Sequence, residues 1–387
     1  MNTKEHKIFF LNNLTVILTT HNSRYNFIFR ALDNYEKEYG NYNLQIIISD
    51  SGDAKKSEKL QKDIIDKKYN LNIKFIKFTS HQNYESIKRD AYGEVVFEYS
   101  KRLQEAIKLI DTEFLVIAAD DDFHFPNYFF ESIDYLNNNN DYGCVYGHLL
   151  KFKLDKFVPY GKIVNFEISK DDNPPNPWLE DDNFKDRLIN LGKNPWSWFS
   201  WYAVQRTNIL KKATDFAVKN KIDGYLFEKY LSFCNAALYK TKKKNLIYAA
   251  RQEVERNTNE RSNFIPSLWE PFSYKRNKVQ LENFVESCIL FLKKYRELSY
   301  EESKDIVLKI VEKDFNEYKK NDNKEFFRFL KKKIKLIHYL QQKFFKPKIK
   351  TSIDTRLKSI NEIMSISDEI GCIKNIVENN KIKIEQK

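Results

Sequence analysis

The sequence predicts an α/β fold of the Rossmann-like kind: a mostly parallel mixed sheet flanked by helices, followed by an α-helical extension. Three observations carry this. Short apolar, β-branched runs alternate with stretches of helical spacing. The clearest runs end abruptly in polar residues, as strands do where an open sheet binds its ligand. From about Ser273 onward the strand-like runs stop and long Lys- and Glu-rich helical patterns take over.

Leu14–Thr20 is the first such run and ends in Thr19-Thr20-His21-Asn22-Ser23-Arg24. Phe27, Ala31, Leu32 and Tyr35 give the next stretch helical spacing. Leu44–Ser49 is a second buried strand, closed by Asp50-Ser51-Gly52-Asp53. A helix over about Lys56–Lys68, a strand over Leu71–Phe78 and a helix over Tyr99–Ile110 follow. Then comes Phe114–Pro126, around which the chain is organised: Phe-Leu-Val-Ile-Ala-Ala runs straight into Asp120, Asp121 and Asp122, and Pro126 opens the next helix. Asn127–Asn138 is helical, and Tyr142–Phe152 and Val158–Ile168 are strands joined through Asp155. Residues Asp171–Pro177 form a polar, Pro-rich loop. Asn245–Ala250 is a short closing strand, preceded by a helix headed by Ile222-Asp223-Gly224. These elements divide the chain into residues 1–268 (halves 12–125 and 126–268) and a helical region 269–387.

At 387 residues, with 42% hydrophobic and 15% aromatic content, the chain can bury a large core. Four scattered cysteines contain no CxxC pair, which fits reduced thiols in the cytoplasm and gives no zinc signal. No signal peptide is read at the N-terminus and no run of about 18 apolar residues would span a membrane. The net charge of +12 is concentrated late in the chain and is accompanied by no nucleic-acid motif. It suits attraction to nucleotide or phospholipid as well. No nucleic acid is expected as a partner.

Three adjacent carboxylates repel one another unless a cation or donors sit against them. Hard cations such as Mn²⁺ or Mg²⁺ take oxygen ligands, often one or two carboxylates with phosphate oxygens. Asp120–Asp122 therefore reads as a metal–diphosphate site, against the alternative of a solvated turn. Asp50 can accept hydrogen bonds from a ribose or base, or serve as turn chemistry with Ser51 and Gly52. Thr19, Thr20, His21 and Asn22 can place donors around a nucleotide, although Asn22 or Ser23 can equally cap a helix. His148 stands in a strand, where a structural role competes with metal ligation. Arg251, Arg256 and Arg261 can cover a diphosphate or lie in a solvated loop. In Asn194–Tyr202 a strand would put Trp196, Trp198 and Tyr202 on one face and Trp201 on the other, offering rings to a sugar or to the core.

Thr19-Thr20-His21-Asn22, Asp50-Ser51-Gly52 and Asp120-Asp121-Asp122, in that order and spacing, resemble the GT-A glycosyltransferases of the family-2 type. More closely they resemble a divergent bacterial branch with an Asp-Asp-Asp-Phe acidic motif. The resemblance covers residues 12–250. It implies a nucleotide-sugar donor, a hydroxyl acceptor on a glycan, glycolipid or protein, Mn²⁺ or Mg²⁺, and transfer with inversion. Carried over, Asp50 meets the base or ribose, Asp120 the ribose, and Asp122 the metal, with Asp120 beside it. The expected donor set is Thr19, Thr20, His21, Asn22, Arg24, Asp50, Ser51, Asp120, Asp121 and Arg251. Trp196, Trp198 and Trp201 are expected at the acceptor.

Two departures stand out. The Ala-Arg-Asn segment of common members is replaced by Tyr99-Ser100-Lys101-Arg102. At the helix head Glu228 matches the family's Glu, but Lys229 stands where its catalytic Asp is expected. The base role then falls to Glu228 or to Asp223. Rival readings are a nucleotidyltransferase, against which stands the absence of any Gly before Gly40, and a basic nucleic-acid- or glycan-binding protein. The Lys-rich, acid-free Phe326–Lys350 is a basic amphipathic stretch that lies on an anionic membrane surface or packs on the catalytic domain or a second subunit.

Overall fold

The computed structural model describes residues 11–20, 24–42, 44–77, 92–156, 158–168, 179–192, 199–222, 224–252, 271–313 and 366–379. His21, Asn22, Asp223, Trp196, Trp198, Arg256, Arg261 and Phe326–Lys350 lie outside them.

Among the described residues a nine-stranded sheet runs in the order β3-β2-β1-β4-β8-β6-β9-β5, with β7 paired to β6. Strands β1 (Leu14–Thr20), β2 (Gln45–Asp50), β3 (Asn72–Lys77) and β4 (Phe114–Ala119) are all parallel. β1, β2 and β4 are almost wholly buried, which is why their sequences are continuous apolar runs rather than alternating ones. Helices α1 (Tyr25–Tyr39), α2 (Ala54–Lys67) and α3 (Tyr92–Ile107) provide the connections. Asp53 caps α2, its Oδ1 accepting from the backbone N–H groups of Lys55 and Lys56 at 3.0 and 3.2 Å. Lys68, in the left-handed conformation, ends it.

Past β4 the sheet becomes mixed. β5 (Asp122–His124) pairs antiparallel with β9 (Lys240–Gln252), and Pro126 opens α4 (Pro126–Asn138) as expected. β6 (Tyr142–Leu154) and β7 (Ile163–Ile168) form the hairpin expected around Asp155. α5 (Phe184–Leu191), α6 (Phe199–Tyr202), β8 (Val204–Arg206), α7 (Thr207–Lys219) and α8 (Gly224–Leu238) complete the second half. Two expectations are corrected. The stretch ending at Tyr202 is not a strand: Phe199–Tyr202 is a helical turn. The closing strand is far longer than Asn245–Ala250, because Lys240–Lys244 lie in register beside β6.

The main apolar core joins β1, β2 and β4 to the helices on both faces. It also takes in Cys288, Phe291 and Leu292 of α9 (Pro271–Tyr295) and Val307 of α10 (300–313). A second cluster gathers Phe123, Phe125, Phe152 and Leu154 with Ile373, Ile376 and Val377 of α11 (Ile366–Asn379). Among the described residues no helix is long and apolar enough to cross a membrane.

Candidate active site at the strand ends

Register brings the expected residues together. Thr20 lies opposite Asp50 across β1 and β2, and Thr19 lies opposite Ala119 across β1 and β4, so the first, second and fourth strands deliver their polar ends to one corner. There Thr20 Oγ1 donates to Asp120 Oδ2 at 2.6 Å, and Arg24 Nε donates to Asp120 Oδ1 at 2.6 Å. Arg24 Nη2 stands 2.5 Å from Asp121 Oδ2. Thr19 turns instead to the sheet, its hydroxyl donating to Ala118 O. Ser51 closes the corner by donating its backbone N–H to Thr20 O at 3.2 Å.

Asp50 is fully buried. Its Oδ1 accepts from Gly52 N at 2.9 Å, the turn bond anticipated from Asp-Ser-Gly, and its Oδ2 accepts from the Tyr25 hydroxyl at 2.6 Å. An ionised carboxylate offers about four acceptor positions, so two remain for another donor. The tie to Tyr25 was invisible in the sequence, since the two lie on different elements.

Asp122 is the unusual member. It is 3% exposed, and among the described residues neither carboxylate oxygen has a hydrogen-bond donor. Its nearest described cation is Arg251, directly across the β5–β9 ladder, with Nε 3.8 Å from Oδ1. Burial, and after it the charge of Asp121, holds the Asp122 carboxyl well above the usual carboxylate range against the pull of Arg251. Burial also raises Asp120, resisted by Arg24. For Arg24 burial disfavours the charge, but Asp121 and Asp120 more than offset it and keep the guanidinium ionised.

A buried carboxylate without donors has the chemistry to take a hard cation. Among the described residues no group of three or more His, Cys, Asp or Glu side chains is arranged to hold a metal ion. Among the described residues Asp122 is the carboxylate left to meet such a cation, and ligand and water oxygens can fill the remaining positions, the habit of Mg²⁺ at phosphates. Asp120, expected beside the metal, is already engaged by Thr20 and Arg24. His148 is not part of this corner's hydrogen bonding: its Nε2 lies 3.1 Å from Asn245 Oδ1.

Arg30 and His124 were missed by sequence reasoning, and Tyr202 was placed on an aromatic face rather than beside the acidic turn. Arg30, fully buried, donates through Nη2 to Asp121 O at 2.8 Å and through Nη1 to Gln252 Oε1 and Pro159 O. Its signal was available, because it sits on the apolar stripe of α1 between Phe27 and Asn34. His124, also buried, stacks on Phe129 at 5.6 Å, and burial drives its pKa down to about 3, so the ring is neutral. Tyr202 lies under Arg251, whose guanidinium is 4.5 Å from the ring centre. Burial raises the Tyr202 hydroxyl well above its ordinary value, with Arg251 opposing and Asp122, Glu228 and Asp121 adding to the rise. Glu228, half-buried near the head of α8, is thus an electrostatic neighbour of the same tyrosine as Asp122.

Trp201 is corrected from an acceptor platform to a core residue. It is 4% exposed and meets Phe227 edge-on at 6.2 Å. A helical turn points Trp201 inward, where a strand would have left it on a face.

No protein-family model and no curated sequence matches the chain. Similar solved structures include S. aureus TarS 1–349 in complex with UDP-GlcNAc, at 12% identity, covering 79% of this chain and 89% of that one, TM-score 0.39. The mannosyltransferase PcManGT from Pyrobaculum calidifontis, in complex with GDP-Man and Mn²⁺, shows 13% identity, 79% and 87% coverage and a TM-score of 0.37. Glucosyl-3-phosphoglycerate synthase from Mycobacterium tuberculosis, in complex with Mn²⁺, UDP and phosphoglyceric acid, shows 12% identity, 70% and 78% coverage and a TM-score of 0.38.

Proposed function

We propose that the protein is a divalent-metal-dependent glycosyltransferase that moves a sugar from a nucleotide-sugar donor to an acceptor hydroxyl. The observation that carries this reading is the buried Asp122 carboxylate, without a hydrogen-bond donor among the described residues, beside the polar ends of β1, β2 and β4. In this account Asp50 and Ser51 receive the base and ribose, and Thr20 fixes Asp120 against the ribose. Asp122 holds Mn²⁺ or Mg²⁺, with Asp120 and Asp121 adding negative potential. The metal, when bound, neutralises charge on the departing diphosphate. Arg24 and Arg251 are the cations beside that diphosphate, and Arg251 is kept flat by the Tyr202 ring.

The acceptor hydroxyl needs a base as its oxygen attacks the anomeric carbon from the face opposite the leaving group. Glu228 is the candidate: it stands near the head of α8 and shares Tyr202 as a neighbour with Asp122. The acceptor we infer is a hydroxyl of a surface glycan, glycolipid or protein.

The test is turnover of a panel of nucleotide sugars with Mn²⁺, read as release of the nucleoside diphosphate, which slow hydrolysis by water reports even without the true acceptor. Release from one donor by the wild type and its loss in Asp122→Ala is the expected result. Release from none of the panel, or equal release by Asp122→Ala, overturns the reading.

A further inference from the structure

The acidic turn has a second side. Strand alternation along β5 sends Asp122 and His124 one way and Phe123 and Phe125 the other. Phe123 and Phe125 do not enter the main core. They enter the smaller cluster that Ile373, Ile376 and Val377 of α11 close from outside. Hydrogen bonds help to seat that helix: Gly161 N donates to Val377 O at 3.0 Å, and Ile163 N donates to Glu378 Oε1 at 3.0 Å.

The β6–β7 loop seated in this way is tied in turn to the acidic turn. Arg30 Nη1 donates to Pro159 O at 2.7 Å, Gln252 Nε2 donates to Val158 O at 3.0 Å, and Arg30 Nη2 donates to Asp121 O at 2.8 Å. The Arg30 guanidinium also lies 4.9 Å from the centre of the Phe123 ring. A chain of contacts, part-buried in the β6–β7 loop and buried at Gly161 and Arg30, therefore runs from Val377 to the two residues that flank Asp122. β5 needs such support, because it is three residues long, stands last in the sheet and, among the described residues, is laddered to β9 alone.

We propose that α11 is a positioning element of the active site: packed behind the acidic turn, and acting through Val377, Phe123 and Arg30, it fixes where Asp122 presents its carboxylate. The identity of the ligand rests on the function proposed above; the mechanical claim does not.

The test uses full-length protein and Val377→Asp, compared by hydrogen–deuterium exchange and by calorimetric titration with Mn²⁺ plus UDP or GDP. Peptides covering 120–125 are expected to exchange about tenfold faster in the variant while 14–19 and 114–118 keep their rates. Affinity for Mn²⁺–nucleotide is expected to fall about tenfold, the low end for losing support around a metal ligand. Unchanged exchange over 120–125 while 366–379 opens, or an equal rise in every peptide, overturns the proposal; so does selective opening of 120–125 with unchanged affinity. Should Val377→Asp fail to fold, Val377→Ala is read by the same criteria. A wild type that binds neither nucleotide with Mn²⁺ and releases a nucleoside diphosphate from no donor of the panel refutes the proposed function, and the exchange pattern still decides the positioning claim.

Discussion

Replacing Asp122 with Asn should make the ligand-free protein more stable and the ligand-bound protein less so. The wild-type carboxylate is buried, has no hydrogen-bond donor among the described residues and meets its nearest described cation at 3.8 Å. Burying such a charge costs several kcal/mol after relaxation, whereas a buried amide lacking partners costs about 1–3 kcal/mol. Above pH 8, where the carboxylate is ionised, the difference is about 2 kcal/mol in favour of Asn, or roughly 2–3 °C in Tm for a chain of 387 residues. The sign with pH follows. The folded-state pKa of Asp122 is raised to about 8, so its contribution is favourable only while protonated and is lost as pH rises through that value. The advantage of Asn should be absent near pH 4 and largest above pH 8. Saturating ligand reverses the order: at one hundred times Kd the wild type gains about 2.7 kcal/mol, and the Asp122→Asn variant has lost the charged ligand atom. Thermal unfolding at several pH values, with and without Mn²⁺ and a nucleoside diphosphate, reads all of this. An Asp122→Asn protein that is less stable than wild type without ligand, or equally stabilised with it, refutes the reasoning.

Other outcomes follow from the same contacts. Arg24→Met should destabilise the protein by about 2 kcal/mol and weaken nucleotide binding, because Asp120 and Asp121 lose their shared partner; denaturant melts and titration calorimetry check it. Glu228→Gln should lower kcat by about 10²–10⁴ with little change in donor affinity; near-normal turnover would move the base elsewhere. Trp201→Ala should cost about 3–5 kcal/mol of stability, as for other buried aromatics, while Trp201→Phe keeps acceptor KM near that of the wild type. The His148 imidazole, lowered by burial and then by Lys243, should titrate below the ordinary histidine value by NMR and ignore added Mn²⁺.

Much of the first half, residues 12–125, could be read from the chain because its causes are local. Leu14–Thr20 and Phe114–Ala119 are buried on both faces, so their apolar runs are uninterrupted and their polar ends mark the corner. Asp53 and Pro126 punctuate helices in ways a sequence states outright. What escaped is long-range. The expected closing strand began only at Asn245, yet β9 starts at Lys240, and Lys240, Lys242 and Lys244 pair with acids. The ring of Trp201 could not be assigned, since four residues fit a strand or a helical turn equally. Arg30 reaches the acidic turn across 91 residues of chain, and the helix that carries Val377 reaches the β6–β7 hairpin across 215, distances at which no local pattern speaks.

The claim at the centre is that Asp122 binds a cation that carries a nucleotide's diphosphate. A crystal grown with Mn²⁺ and the best-stabilising nucleoside diphosphate measures this directly through manganese anomalous scattering. The account predicts a single strong peak about 2.0–2.2 Å from an Asp122 carboxylate oxygen, bridged to the diphosphate. A peak elsewhere, or a bound nucleotide whose phosphates leave Asp122 unliganded, contradicts it.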